Sequence, residues 1–297
     1  MKTINNLFFG TAGIPNISSN TIDGIQTVKR LGLGSMELEF VRTVNITKDK
    51  APIIKKTAVD EDIILTCHGQ YAININSQDK KVLEASIKRI LDASRIASMC
   101  GCWSICYHMA YYSNEDPQKV YDKIKIYLKD IISTLRNGGH EIFVRPETGG
   151  KINQFADSYE LIKLAEEMEN VLPCFDFAHQ YSRTLGKWNN REEFHKLLSA
   201  IEKHLGRKGL NNMHIHMEGI EFTDKGERNH VNLDECPFKY KDLLKVLKEF
   251  NIKGVVTCES PNIEKDALLM QKFYKSLKGK NQYGRSNKGT IHKRRKK

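Results

Sequence analysis

Short apolar runs alternate with amphipathic segments along nearly the whole chain, and this alternation limits the fold more than any other feature. Eight runs of strand length recur at a spacing of roughly 30–40 residues. They occupy residues 6–10, 35–40, 63–68, 103–108, 141–147, 172–176, 213–217 and 254–259. Because the intervening segments are long enough for helices, the pattern predicts βαβ units and a parallel sheet.

The segments between the apolar runs have helical signals. Residues 79–101 place apolar side chains at i, i+3, i+4 and i+7 steps and stop at Gly101. Residues 113–139 begin with cap-type residues and end on a glycine pair, and further helices are predicted over 157–170 and 266–280. Eight strand–helix units predict a single α/β domain, a closed (β/α)8 TIM barrel. An open doubly wound sheet is the alternative, although no glycine-rich phosphate loop follows the first run.

Length and composition fit one soluble domain. The chain has 297 residues, 40% of them hydrophobic, and α/β barrels of this size routinely form one unit. We expect a barrel over residues 1–278 and a basic tail over residues 279–297. No apolar stretch reaches the ~20 residues of a membrane span, and the N-terminal apolar run is too short for a signal peptide. The predicted compartment is the cytoplasm (with nucleoid association in a prokaryote), and no membrane partner is expected.

Seven cysteines are an odd number in a chain without an export signal, which argues against a disulfide framework. Four of them fall inside the apolar runs: Cys67, Cys106, Cys174 and Cys258. We interpret these four as small buried hydrophobic residues.

The net charge of +11 is concentrated at the C-terminus. Ten Lys and Arg, and no Asp or Glu, lie between Phe273 and Lys297. Such a run cannot bury apolar area and is predicted to be disordered on its own. It fits either a solvated tail that aids solubility or an arm that contacts phosphates and releases counterions. In the second case Lys293, Arg294 and Arg295 are candidate DNA-binding residues.

Six consecutive apolar runs, from the third to the eighth, carry a His, Asp or Glu at their ends. In a barrel the C-terminal ends of the strands face one another across the mouth, where active sites lie. Imidazole nitrogen and carboxylate oxygen are ligands of zinc and related divalent metals. One such residue alone is more often a core or surface group, but several carboxylates buried together are costly unless cations neutralise them. We therefore predict a metal site formed by His68, His108, Glu147, Asp176, His216 and Glu259.

Further histidines lie close to these strand ends in the sequence. His214 precedes His216 by two residues, so both side chains point to the same face of the strand. His216 is nearer the strand end and is the predicted ligand, with His214 a deeper core residue. His179 is expected in the loop after the sixth strand, one short turn further on, where it can reach a neighbouring metal. A later loop offers Glu227 and His230 for an outlying metal.

The motifs that contain these residues resemble the endonuclease IV family of apurinic/apyrimidinic endonucleases, within the xylose isomerase-like TIM barrel superfamily. The resemblance spans roughly Cys67 to Asn262. "CHGQYAIN" and "YHMAY" resemble the family's histidine motifs of the third and fourth strands, and "PET" resembles its Glu motif. "FDFAH" resembles the Asp-x-x-His motif, and "HIHMEG" and "CESPN" resemble the last two strand-end motifs. The order and spacing of the motifs, rather than any one of them, carry the resemblance.

The resemblance implies a cluster of two to three zinc ions per chain, with manganese as an alternative metal. The implied ligands are His68, His108 and Glu147 for the first ion, Glu147 as a bridge with Asp176, His216 and Glu259 for the second, and His179 with His230 for the third. The sequence departs from the family at the third ion, where Arg228 replaces an aspartate. Glu227 is expected to substitute ahead of Asn229 because it is anionic. "TGGK" after the Glu motif and "HMEG" also differ from the family's usual residues.

The activity implied by the resemblance is hydrolysis of the DNA phosphodiester 5′ to an abasic site in base excision repair, which leaves a 3′-hydroxyl. Glu147, helped by Glu259, would be catalytic and orient the attacking hydroxide. Tyr71, in the loop after the third strand, either wedges into the DNA or is an ordinary packed tyrosine. The implied partner is double-stranded DNA with abasic sites, bound by a monomer without an organic cofactor.

Two other classes of function fit part of the pattern. A metal-dependent sugar isomerase or epimerase on the same barrel uses Glu, Asp, His and Glu at strands five to eight, because fold does not fix function. The four remaining histidines discriminate against it, since one metal does not require them: His68, His108, His179 and His230. A non-catalytic nucleic-acid-binding barrel would retain the basic tail but has no need for the metal cluster. The endonuclease is the favoured interpretation.

Overall fold

The computed structural model describes residues 4–169 and 171–277, and eight parallel strands in these ranges form a nearly closed barrel. The predicted (β/α)8 TIM barrel is therefore confirmed, and the open doubly wound alternative is wrong. Four further short strands in the same ranges, at 110–111, 154–155, 219–223 and 226–231, lie outside the barrel. In chain order the strands are β1 Leu7–Ala12, β2 Ser35–Glu39, β3 Ile64–His68, β4 Ser104–Tyr107, β5 Ala110–Tyr111, β6 Phe143–Pro146, β7 Gln154–Phe155, β8 Cys174–Asp176, β9 Met213–Met217, β10 Gly219–Thr223, β11 Gly226–Val231 and β12 Gly254–Cys258.

Helices alternate with the barrel strands, as the periodicity of the intervening segments predicts. They are α1 Thr21–Arg30, α2 Ala51–Asp60, α3 Lys80–Met99, α4 Pro117–Asn137, α5 Ser158–Glu167, α6 Phe177–Arg183, α7 Arg191–Leu210, α8 Tyr240–Glu249 and α9 Glu264–Ser276. Apolar residues on their inner faces pack against the strands in one hydrophobic core. No helix in the described ranges is long and apolar enough to cross a membrane.

Capping residues explain where the predicted helices start and stop. The side chains of Asp79 and Asp116 accept hydrogen bonds from free backbone N–H groups at the starts of α3 and α4. At the start of α5, Asp157 and Glu160 form a reciprocal capping box. The glycine pair after α4 ends that helix because Gly139 has a φ of +75°, a backbone conformation that glycine adopts without strain.

Strand order fixes which side chains meet at the mouth. The order around the barrel is β6-β4-β3-β2-β1-β12-β9-β8. The two end strands, β6 and β8, are joined by an isolated parallel bridge between Glu147 and Cys174 and by a hydrogen bond of 3.2 Å from Thr148 N to Cys174 O. Nη1 of Arg145, on β6, also donates a hydrogen bond of 3.0 Å to the carbonyl of Pro173. Glu147 therefore lies at the seam where the barrel closes.

A β-hairpin, β10–β11, lies where the sequence predicted only a loop. Its burial alternates only partly, so its pattern does not stand out against surface polar sequence. Gly226 makes an antiparallel bridge to Lys151, in the segment that follows Glu147. This contact attaches the hairpin to the barrel mouth.

Candidate metal centre

The six predicted side chains converge at one end of the barrel. Because parallel strands deliver their C-terminal ends to a common rim, residues far apart in sequence meet there. His68 and Asp176 are the last residues of β3 and β8, and His216 is the last but one of β9. Three residues follow directly after β4, β6 and β12: His108, Glu147 and Glu259. Their donor atoms form overlapping groups in which all members lie within 4.8 Å of one another.

One group consists of His68, His108 and Glu147. Nε2 of His68 is 3.1 Å from Oε2 of Glu147, and Nε2 of His108 is 3.8 Å from Oε1 of the same carboxylate. Donors around a tetrahedral zinc stand roughly 3–4 Å apart, because each metal–donor bond is about 2 Å long. The spacing of these three side chains suits a shared ion.

The second group consists of Glu147, Asp176, His216 and Glu259. Nδ1 of His216 is 3.0 Å from Oε1 of Glu147 and 3.5 Å from Oε1 of Glu259. Asp176 also caps α6, because its Oδ1 accepts a hydrogen bond of 2.6 Å from the backbone N–H of His179. Glu147 belongs to both groups, so its carboxylate stands between two sets of donors.

A third set of donors surrounds His179 and His230, whose Nε2 atoms are 3.4 Å apart. Glu227 is 3.7 Å from Nε2 of His179 and 3.8 Å from Nε2 of His230. The structure corrects the predicted setting of all three residues. His179 lies inside α6 rather than in a loop, because that helix begins directly after Asp176, and the other two lie on β11 of the hairpin.

Backbone carbonyls fix the orientation of three of these imidazole rings. Nδ1 of His68 is 2.7 Å from the carbonyl of Gly69, and Nδ1 of His179 is 3.0 Å from that of Thr148. Nδ1 of His230 is 3.3 Å from the carbonyl of Glu259. Because a carbonyl only accepts hydrogen bonds, each Nδ1 carries the hydrogen, and Nε2 of the neutral ring keeps its lone pair. Metal-binding histidines are usually held in this way.

His214 and His216 point to the same side of β9, but they have different neighbours. Nε2 of His214 is 2.9 Å from Oε2 of Glu37, and its Nδ1 is 3.0 Å from Oγ of Ser104. Nε2 of His216 is 2.9 Å from the other oxygen of Glu37, which leaves Nδ1 of His216 facing Glu147. His214 therefore contacts β2 and β4 across the barrel interior, and His216 contacts the central carboxylates as well as Glu37.

Three acidic residues at the mouth were missed by the sequence reasoning: Glu37, Glu39 and Glu218. Glu37 and Glu39 lie two residues apart on β2, and their donor atoms and that of Glu259 lie within 4.8 Å of one another. Glu218 follows β9 and groups with His179, His230 and Glu259. The signal was present, since two acids two residues apart inside an otherwise buried strand point to the same face.

The electrostatics of the mouth fit a site for cations. Burial raises the pKa of Asp176 to about 6, with Glu259 and Glu147 contributing, and burial raises the pKa of Glu39 to about 8. The pKa of Glu218 is raised well above its usual value by burial and by neighbouring carboxylates. In the absence of an ion these acids repel one another, and bound divalent cations would remove that cost. The imidazole and carboxylate donors suit zinc or manganese.

The cysteines, all of which lie in the described ranges, form no disulfide bonds. All seven are free thiols, and Cys67, Cys106, Cys174 and Cys258 are buried. The interpretation of these four as small buried residues is confirmed.

The predicted DNA-contacting residues fall into two categories. Tyr71 is 58% exposed, so it is not a packed loop tyrosine, and its ring lies 5.3 Å from that of His68 at 67°. It therefore stands at the rim of the candidate metal centre. Lys293, Arg294 and Arg295, like the whole predicted tail over 279–297, lie outside the described residues.

Two comparisons of structure recover the same architecture. Endonuclease IV from Thermus thermophilus aligns with a TM-score of 0.70 and 14% identity, over 90% of this chain and 97% of that one. A D-tagatose 3-epimerase-like protein aligns with a TM-score of 0.67 and 17% identity, over 89% of this chain and 96% of that one. At such low identity the likeness concerns the fold alone.

Comparison of sequence is more specific about ancestry. An uncharacterised protein of Methanocaldococcus jannaschii is 40% identical over 271 residues, which cover 91% of this chain and 98% of that protein. A family model described as xylose isomerase-like TIM barrel matches residues 25–277. On the strength of these two matches, the chain belongs to the xylose isomerase-like TIM barrel family.

Proposed function

We propose that this protein is a metal-dependent endonuclease that hydrolyses the DNA phosphodiester on the 5′ side of an abasic site. The observation that carries the proposal is the number of imidazole donors at the barrel mouth. Four histidines stand around the Glu147, Asp176, His216 and Glu259 group: His68, His108, His179 and His230. One metal ion has no use for so many ligands, whereas pairs of ions about 3.5–4 Å apart are common in enzymes that displace groups at phosphorus.

The proposed ligands follow the groups of donors. The first ion would be held by His68, His108 and Glu147, the second by Glu147, Asp176, His216 and Glu259, and an outer ion by His179, Glu227 and His230. We propose two to three zinc ions, with manganese as the alternative. When bound, such ions supply Lewis acidity, which lowers the pKa of a nearby water and balances negative charge on the phosphate.

Glu147 and Glu259 are the proposed catalytic residues. His216 Nδ1 lies 3.0 Å from one carboxylate and 3.5 Å from the other, which holds both facing the centre. Glu147 would accept a hydrogen bond from the attacking water and orient it, and Glu259 would take the proton that the water gives up. The water oxygen bonds to phosphorus as the bond from phosphorus to the 3′ oxygen breaks. The departing 3′ oxygen takes a proton from solvent and becomes the 3′-hydroxyl.

The proposed substrate suits a site at the end of a barrel. An abasic nucleotide leaves the duplex stack at low cost because no base pair is lost. The ring of Tyr71 is exposed beside His68 and would contact the vacated gap. The basic stretch "RTVNITKDK" at residues 42–50 and the C-terminal basic residues would bind phosphates without reading sequence. We propose a monomer that acts in the cytoplasm on damaged double-stranded DNA and needs no organic cofactor.

The test is incubation of the zinc-loaded protein with a duplex that contains one stable abasic analogue. We expect a single nick 5′ to the analogue, with a 3′ end that a polymerase extends, and no cut in the undamaged duplex. Glu147→Gln should reduce cleavage to background without lowering the melting temperature, whereas Glu141→Gln, an exposed change before β6, should not affect it. Absence of a nick with the wild-type protein would refute the proposal.

A sugar isomerase or epimerase is the second candidate, because the group formed by Glu147, Asp176, His216 and Glu259 needs no further ligand to hold one metal. Two measurements separate the candidates. Metal analysis should give near three ions per chain for the endonuclease and near one for the isomerase. Conversion of free ketoses without any nicking of abasic DNA would favour the isomerase.

A further inference from the structure

Glu218 is a buried carboxylate that has no partner in the described part of the chain. It directly follows β9, its side chain is 0% exposed, and neither Oε1 nor Oε2 has a hydrogen-bond partner. No ion pair to it is found either among the described residues. Because an isolated buried carboxylate is very costly, its position calls for a cation or a proton.

Glu218 groups with donor atoms of the outer site. One oxygen of Glu218 forms a group with His179, His230 and Glu259, in which all donor atoms lie within 4.8 Å of one another. The two histidines face each other through Nε2 atoms 3.4 Å apart, and both rings have Nδ1 next to a backbone carbonyl. In their neutral forms, two lone pairs and a carboxylate therefore point into one small space.

From this geometry we infer that Glu218 is a ligand of the outer metal ion, together with His179 and His230. The inference rests on the outer site of the proposed function and adds a ligand that the sequence motifs did not suggest. Arg228, which stands where the resemblance expects an aspartate, is exposed. Glu218 supplies the missing acid from the position that joins β9 to the hairpin.

Glu218 and Glu227 approach the two histidines from different elements. Glu227 belongs to β11, keeps 18% of its side chain exposed, and lies 3.7 and 3.8 Å from the imidazole nitrogens. Glu218 is fully buried and has no other contact to satisfy it. We therefore expect the loss of Glu218 to weaken the outer ion more than the loss of Glu227, and Glu259 remains available to the second group.

The test is the zinc content and zinc affinity of Glu218→Gln, which keeps the size of the side chain and removes its charge. After equilibration with zinc, the wild type should hold near three ions per chain and the variant near two, or bind its weakest ion at least about tenfold less tightly. Loss of a group that only supports a ligand already costs about 10- to 100-fold. Glu227→Gln should have a smaller effect, and Glu202→Gln, an exposed change on α7, should have none.

A double variant shows whether Glu218 and His230 hold the same ion. Glu218→Gln combined with His230→Asn should lose no more zinc than either single variant. Replacement of zinc by cobalt(II) gives a second readout, since the visible absorption of the third equivalent should disappear in Glu218→Gln.

The outcomes that would overturn the inference are distinct from failure of the nuclease assay. Wild-type stoichiometry and affinity in Glu218→Gln, or a wild type without an outer ion, would remove Glu218 from the ligand set. A wild type that holds the outer ion through Glu218 and does not nick abasic DNA would retain the inference and refute the proposed reaction.

Discussion

Oε1 of Glu37 lies 2.9 Å from Nε2 of His216, on the opposite side of the ring from the central carboxylates. Nδ1 of the same ring is 3.0 Å from Oε1 of Glu147. The second oxygen of Glu37 is 2.9 Å from Nε2 of His214, so one buried carboxylate contacts two rings. A carboxylate on the outer nitrogen of a metal-binding histidine fixes the tautomer of the ring and makes it a stronger donor.

Glu37→Gln is therefore expected to weaken metal binding although Glu37 is not a proposed ligand. A neutral amide no longer fixes the tautomers of the His214 and His216 rings, so zinc affinity should fall about 10- to 100-fold. Titration against a chromophoric chelator measures the change. Glu84→Gln, on the exposed face of α3, is the matched control, and an unchanged affinity in Glu37→Gln would show that this contact does not support the site.

The barrel and the six rim residues could be predicted because each signal is local. A buried run that ends on Glu147 or Asp176 can be recognised in the sequence without knowing which strands lie beside it, since parallel strands bring their ends to one rim. The role of Glu37 cannot be predicted from the local sequence in this way. It depends on β2 lying close enough to β9 for Glu37 to contact His214 and His216, although the two strands are not adjacent in the sheet. Such a contact across the barrel interior has no counterpart in the local sequence.

The outer site was harder to predict for a different reason. His179 lies in α6, whose start is fixed by the hydrogen bond from its own N–H to Asp176, so the residue that ends the strand also starts the helix. Glu227 and His230 lie on a hairpin with exposed and half-buried positions, which resembles a polar loop in sequence. Glu218 could not be predicted from the sequence, because a lone acid after a strand is usually a surface charge.

Metal binding is expected to release protons from His68 and His179. Burial lowers the pKa of His68, but Glu147 and other carboxylates outweigh burial and raise that pKa to about 10. Against the same effect of burial, Asp176 and Glu227 raise the pKa of His179 to about 9. Both rings are thus charged at pH 7 in the metal-free protein, and zinc must displace about two protons from them. Zinc affinity should rise between pH 7 and pH 9.

Calorimetry in two buffers with different heats of ionisation counts these protons. His68→Asn should reduce the count by about one. His108→Asn is the control, because burial lowers the pKa of His108 to about 4 and that ring has no proton to release. The raised pKa values of His68 and His179 stabilise the metal-free fold. This stabilisation is complete below the pKa that the two residues have in the unfolded chain, and it should be lost as the pH rises through 9–10. Zinc binding without proton release would show that the His68 and His179 rings are not charged in the metal-free protein.

Gly150→Ala is expected to disturb the outer site alone. A Cβ at this position would stand 2.5 Å from Oε2 of Glu227 and 2.8 Å from Cδ2 of His179, which is closer than packing allows. The variant should lose about one metal ion per chain and keep the ions of the other two groups. Gly138→Ala, at an exposed site with a negative φ after α4, is the control. Full metal content in Gly150→Ala would show that the outer site tolerates displacement of these two residues.

Tyr71→Ala is expected to weaken abasic-site recognition without changing metal content. The ring is exposed beside His68 and is not a candidate ligand, so its loss would remove the proposed contact with DNA without removing a metal ligand. A base that flanks the gap and stacks on an aromatic ring gains about 1–3 kcal/mol, which corresponds to roughly 5- to 150-fold in affinity. Binding to a duplex with an abasic analogue measures the loss, with Tyr159→Ala, exposed on α5, as control. Equal weakening of binding to undamaged duplex would argue against a role at the gap.

Removal of residues 279–297 tests the charge of the tail, which lies outside the described residues. It deletes eight Lys and Arg and no Asp or Glu, so the formal net charge falls from +11 to +3. If these cations bind phosphates, the plot of log affinity against log salt becomes less steep by about 0.9 for each phosphate that is no longer neutralised. Binding at low salt should therefore weaken, while the nick on a short abasic duplex keeps its position, because the proposed catalytic groups lie in the barrel. Replacement of Lys293, Arg294 and Arg295 by serine should produce part of the same change in slope. A slope equal to that of the full chain would identify the tail as solvated charge with no part in DNA binding.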